Sequence, residues 1–190
     1  MAARASLSHV LLCAGSLHEW AQTSADAWRA RLALVSRVAH GGGAEWATII
    51  PHGSGSESDV SDMRRLLVES CGGVQYADRV VVLGDEGVTV IVDLCADGRK
   101  RIADAVNRMT TDDVTEQRLA ATLSAPAPGE PDLVIVLGSA SEMPASLVWE
   151  IAYAELVFLD APWGDLNAEH LEMAIDDFAR RDRRFGGIDS

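Results

Sequence analysis

Short apolar runs of strand length recur along this chain, and stretches with apolar residues at helical spacing separate most of them. The runs are His9–Cys13, Trp46–Ile50, Arg79–Leu83, Val88–Leu94, Asp132–Leu137 and Leu156–Leu159. Between the first two, Ala27, Trp28, Leu32, Val35 and Val38 mark a helix over Ser24–His40, and Gly41–Gly43 stops it. This alternation predicts an α/β fold: a central, mostly parallel sheet of about six strands flanked by helices. Arg79–Leu83 and Val88–Leu94 break the rule, because only Gly84–Gly87 separates them. A parallel crossover needs about a dozen residues, so the Gly-Asp-Glu-Gly turn predicts a hairpin at residues 79–94.

Further helices are expected at Asp59–Ser70, with Ser56 or Ser58 as N-cap, and at Asp97–Met109. Another is expected at Asp113–Ser124, with Thr111 or Asp112 capping it, and a helix-length segment joins the last two strands. A long amphipathic helix then ends in a basic cluster of Arg180, Arg181, Arg183 and Arg184.

The 190 residues predict one domain over residues 1–190. A net charge of −13 argues against nonspecific nucleic-acid binding. The start has too short an apolar stretch for a signal peptide, and no later stretch has membrane length, which predicts a cytoplasmic protein. Cys13, Cys71 and Cys95 lack metal-ligand spacing and read as reduced, buried thiols.

The last third carries a denser signal. Trp149, Ala152, Tyr153, Ala154, Glu155, Phe158, Asp160, Trp163 and Asp165 form W-x-x-A-Y-A-E-x-x-F-x-D-x-x-W-x-D, and the chain closes on A-R-R-x-R-R-F-G-G. This order resembles the C-terminal part of the cis-prenyltransferases, the undecaprenyl diphosphate synthase family. Near the start, HVLLCAGSLHEWA aligns without a gap on the family's H-x-A-I-I-M-D-G-N-G-R-W-A, with His9, Trp20 and Ala21 matching. Asp97–Ile102 resembles the family's G-G-R-x-E-I element, Arg99 matching its arginine. The resemblance covers nearly the whole chain and implies the cis-prenyltransferase fold.

The charged groups that the resemblance leads one to expect are missing. Gly15 stands where the family has the aspartate that holds Mg²⁺, and Glu19 stands where it has an arginine. The F-S-T-E-N-W element is replaced by the region Pro51–Ser56. Of the R-T-x-G-E-x-R-x-S-N-F element, the two arginines fall on Val136 and Glu142 and the serine on Pro144. An aliphatic side chain and a carboxylate cannot replace guanidinium forks on a phosphate. The helical insertion that walls the family's product tunnel is also absent between residues 83 and 88, implying a shortened tunnel or none.

The resemblance therefore implies a noncatalytic accessory subunit of a heteromeric cis-prenyltransferase, similar in logic to the Nogo-B receptor type. Its catalytic partner would make a polyprenyl diphosphate from isopentenyl diphosphate and an allylic diphosphate, with Mg²⁺ in the partner's site and no cofactor on this chain. Arg184, Gly186 and Gly187 match the R-x-G element that binds isopentenyl diphosphate across the dimer interface. Glu155 matches a glutamate that supports Mg²⁺ there, and is the one candidate metal ligand. Tyr153, Trp149 and Phe158 are expected in the core or the dimer interface. The rivals are an enzyme of different chemistry on the same fold, such as a branching prenyltransferase or terpene synthase, and a dimerising scaffold. Two loops, His52–Ser56 and Gly138–Ser141, offer amides for an anion or are plain turns.

Overall fold

The computed structural model describes residues 7–109, 114–139, 141–152 and 154–181. A seven-stranded sheet forms its centre: β1 (His9–Cys13), β2 (Trp46–Ile50), β3 (Val74–Tyr76), β4 (Arg79–Leu83), β5 (Thr89–Asp93), β6 (Leu133–Leu137) and β7 (Glu155–Leu159). The spatial order is β3-β4-β5-β2-β1-β6-β7. Strands β5, β2, β1, β6 and β7 are parallel, whereas β4 runs antiparallel to β5 and β3 antiparallel to β4. The expected hairpin is present. The additional strand, β3, is three exposed residues long, too short to carry a period.

The register assigns each face of the sheet. Val10, Leu12, Ala47, Ile49, Val90 and Ile135 point one way and meet Trp28 and Leu32 of α2 (Ala25–Gly41), Met63 and Leu67 of α3 (Glu57–Cys71), and Phe178 of α6 (Ala168–Arg180). Complete burial of one such side chain contributes about 1.5–3 kcal/mol. On the other face Leu11, Cys13, Ile50, Val134 and Val136 pack with Leu147. There α4 (Gly98–Asn107) and α5 (Glu116–Ser124) pack against each other, and α4 meets the turn Ala145–Leu147. A short helix, α1 (Leu17–Ala21), follows β1.

Each of these helices starts on a side-chain cap. Ser56 caps α3, one of the two serines expected there. Thr115 caps α5, three residues into the expected helix, while Thr111 and Asp112 lie outside the described residues. The segment between β6 and β7 is a correction of a different kind. It forms two 3₁₀ turns, Ala145–Leu147 and Glu150–Ala152, rather than a helix. The Ser146 carbonyl accepts from the Arg101 guanidinium at 3.0 Å, a tertiary bond in place of a helical one. Among the described residues no helix is long and apolar enough to cross a membrane.

Candidate functional site

The parallel strands end together, and their carboxyl-terminal loops build the region where ligands of open α/β sheets bind. The loop after β1 turns at Gly15 with φ +63°, and a Cβ there would stand 2.9 Å from Trp163 Cγ and 3.0 Å from Trp20 Nε1. No L side chain fits that position without moving an indole. Trp20, Trp28 and Trp163 form one aromatic group, with ring centroids 5.3, 5.9 and 5.5 Å apart. Two of the indoles direct their N–H at the backbone, Trp20 Nε1 donating to the Ala14 carbonyl (2.9 Å) and Trp28 Nε1 to that of Trp20 (3.2 Å), whereas Trp163 Nε1 is buried without a partner among the described residues. The Arg31 guanidinium lies 4.5 Å over the Trp163 ring, and burial lowers its pKa.

Two carboxylates close the neighbouring helix starts. Glu19 Oε2 accepts from the Ser16 amide at 2.7 Å and from the Ser16 hydroxyl at 2.9 Å. Asp59 Oδ2 accepts from the Ser56 amide at 2.8 Å, and that bond holds the Asp59 carboxyl below its ordinary range. These are capping boxes. Part of the His52–Ser56 loop is committed as well, because the His52 and Gly53 amides both donate to the Gly15 carbonyl, at 2.7 and 3.1 Å, while the Ser54 and Gly55 amides carry no such bond among the described residues. An incoming anion would find the Ser16, Ser56, His52 and Gly53 amides occupied and a carboxylate beside them.

The other expected positions fall as follows. Val136 is buried within β6, Glu142 is exposed and Pro144 is buried before the first turn. In the Gly138–Ser141 loop, Ser139 Oγ accepts the Ser141 amide at 3.2 Å; Ala140 lies outside the described residues. Arg99 is exposed on the first turn of α4, and Trp149 donates to Glu130 at 2.5 Å. Phe158 packs against the second apolar cluster. Tyr153, Arg183, Arg184, Gly186 and Gly187 lie outside the described residues. The basic cluster is thus described only at Arg180 and Arg181, both exposed at the end of α6.

Glu155 is half-buried at the start of β7, and its Oε2 is buried without a hydrogen-bond partner. A lone carboxylate is a poor ligand set for Mg²⁺. Among the described residues no three His, Cys, Asp or Glu side chains gather where they could hold an ion, and Gly15 offers no donor. These residues do not fit a resident metal.

A buried charge group joins the second face of the sheet to the 3₁₀ turns. Arg79 Nε donates to Asp93 Oδ2 at 2.8 Å, and its two other nitrogens donate to the Leu123 and Ala125 carbonyls. Arg101 Nη1 lies 3.5 Å from Asp93, and Nη2 donates to Glu150 Oε1 at 2.6 Å. Burial works against the Arg101 charge, but the Glu150 and Asp93 carboxylates outweigh it and raise its pKa. Beside this group opens a cleft of about 530 Å³, lined by the end of β5, by α3, by α4 and by residues 76–79. The sequence reading missed both the charge group and the cleft. Asp93, a carboxylate closing an apolar strand run, was the one available signal.

The family model described as "Putative undecaprenyl diphosphate synthase" matches residues 61–186. The ditrans,polycis-undecaprenyl-diphosphate synthase ((2E,6E)-farnesyl-diphosphate specific) of Lactiplantibacillus plantarum is 38% identical over 117 residues, covering 60% of this chain and 41% of that enzyme. An isoprenyl transferase of Rhizobium meliloti is 29% identical over 144 residues, covering 70% of this chain and 55% of its own length. The chain thus spans about half the length of the curated relatives it matches. Lavandulyl diphosphate synthase from Lavandula x intermedia, solved in complex with dimethylallyl diphosphate, superposes with a TM-score of 0.66 at 15% identity. That superposition covers 96% of this chain and 99% of the solved one.

Proposed function

As this chain belongs to the undecaprenyl diphosphate synthase family, we propose that it is the noncatalytic accessory subunit of a heteromeric cis-prenyltransferase. The observation that carries this reading is the closed loop after β1, where Trp163 and Trp20 leave no room for a side chain on Gly15 and Glu19 takes the Ser16 amide. A diphosphate needs free donors and cations, and this loop has committed its Ser16 amide and carries a carboxylate but no Lys or Arg.

The catalytic partner supplies the Mg²⁺ ligands, the diphosphate-binding arginines and the product tunnel. This chain supplies a dimer face and the Arg184-Phe185-Gly186-Gly187 tail, whose arginine and glycine amides bind isopentenyl diphosphate in the partner's site. The assembly works in the cytoplasm, peripheral to the membrane that receives its lipid product.

Co-expression with an intact cis-prenyltransferase of the same genome tests the reading, followed by co-purification and a condensation assay. The expected result is a stable complex that is active where either chain alone is weak. Robust turnover by the isolated chain would falsify it. Within the complex, Arg184→Ala raises the KM for isopentenyl diphosphate, by roughly tenfold for one charge-assisted contact. Unchanged turnover and affinity on that substitution would leave only a dimerising scaffold. The cleft beside β5 supports a second reading, an enzyme of different chemistry on the same fold; turnover by the isolated chain of a ligand held in that cleft would favour it.

A further inference from the structure

The cleft at the carboxyl end of β5 has the size of a small-molecule site, roughly 300–1,000 Å³ in general, and about 530 Å³ here. We propose that it binds a small amphipathic monocarboxylate, with an apolar body and a single negative charge. The walls supply the apolar part: Leu17, Val60, Tyr76, Leu94 and Ala96.

The charges decide the head group. Five cations line the cleft, and four are already matched. Arg79 is committed to Asp93 and two carbonyls, and Arg101 to Asp93, Glu150 and the Ser146 carbonyl. Lys100 pairs with Asp104 at 2.5 Å and Arg108 with Asp78 at 3.1 Å. The fourth lining carboxylate, Asp97, caps α4 through the amides of Arg99 and Lys100. Arg64 is the cation left over, with no hydrogen bond or ion pair among the described residues. One free guanidinium suits a single carboxylate. A diphosphate brings several charges and would find only one unspent cation. The lining is therefore specific for a monoanion, apart from whether the chain assists a prenyltransferase.

Calorimetric titration of the full isolated chain with sodium decanoate tests this, with circular dichroism to verify that each variant is folded. Saturable, equimolar binding is expected. Arg64→Glu weakens it about tenfold or more and Arg64→Lys less than about threefold, as expected for one charged hydrogen bond. Val60→Trp, which fills the apolar wall, abolishes it. Three results would overturn the proposal: no saturable binding, equal affinity for uncharged decanol, or an affinity that Arg64→Glu leaves intact. Tighter binding of farnesyl diphosphate than of decanoate would overturn it as well, by making the cleft a diphosphate site. Because the readout is binding rather than turnover, failure of the accessory-subunit reading leaves the result interpretable.

Discussion

A Cβ on Gly15 would stand 2.9 Å from Cγ of Trp163, and the glycine itself holds a left-handed φ of +63°. The two facts make one arrangement, because the backbone turns where only glycine turns freely and the indole fills the space a side chain would take.

Gly15→Ala is accordingly expected to lower stability by roughly 2–4 kcal/mol, from left-handed strain and overpacking together. Urea denaturation reads this as a lower midpoint at an unchanged slope. Gly15→Asp supplies the carboxylate that the proposed reading says is missing, without its surroundings, so the isolated chain gains no condensation activity. Measurable product from that variant would contradict the proposed loss of catalysis.

Arg101 is the hub of the buried charge group, 6% exposed and shared between Glu150 and Asp93. Arg101→Met strands the Glu150 carboxylate and should cost about 3–5 kcal/mol, the usual penalty for breaking a buried pair from one side. Combining it with Glu150→Met removes the stranded charge and recovers part of the loss, while Arg79 still holds Asp93. Thermal unfolding of the two single variants and the double variant measures the coupling.

His9 is buried in β1 with Nδ1 at 3.0 Å from the Gly129 carbonyl and Nε2 at 2.8 Å from Thr48 Oγ1. A carbonyl only accepts, so Nδ1 carries the proton, and the neutral ring accepts at Nε2 from the Thr48 hydroxyl. Desolvation lowers its pKa below the ordinary 6.5, against the opposing pull of Gly129 and Asp132. The unfolded chain therefore binds the proton more readily. The stability that neutral His9 contributes is complete above about pH 6.5 and is lost as pH falls through the lower folded-state value. Denaturation midpoints should fall less steeply below pH 6.5 in His9→Gln than in the parent chain. Equal slopes would mean that other groups carry the acid sensitivity.

Cys13 is fully buried at the end of β1, and burial pushes its thiol up to about 12. Cys71 and Cys95 are only partly buried. In the native protein a thiol reagent should label Cys71 and Cys95 while sparing Cys13, which reacts after denaturation. Mass spectrometry of the labelled peptides gives the order directly.

Much of the sheet was legible because its strands are apolar runs and its long helices are periodic. Glycine at residues 84 and 87 announced the hairpin between β4 and β5, and Ser56 announced the start of α3. Elements of three to five residues, β3 and α1, were not legible, being shorter than any period they could display. The segment before β7 carried apolar spacing, yet became 3₁₀ turns because Arg101 reaches it from α4, 45 residues away from Ser146 in sequence.

The residues at positions 15, 19, 136 and 142 on which the proposed loss of catalysis rests were readable from sequence alone, because residue identity needs no coordinates. Sequence also determined the succession of most elements along the chain, because apolar runs, caps and turns are local properties, whereas the spatial order of the strands came only with the fold. What only the tertiary structure decided is what stands around these positions: Trp163 against Gly15, Glu19 and Asp59 on the helix-start amides, and Arg64 left unpaired in a cleft of otherwise matched charges. Those contacts join residues far apart in the chain, and packing and charge pairing across such distances leave no periodic trace in the order of residues.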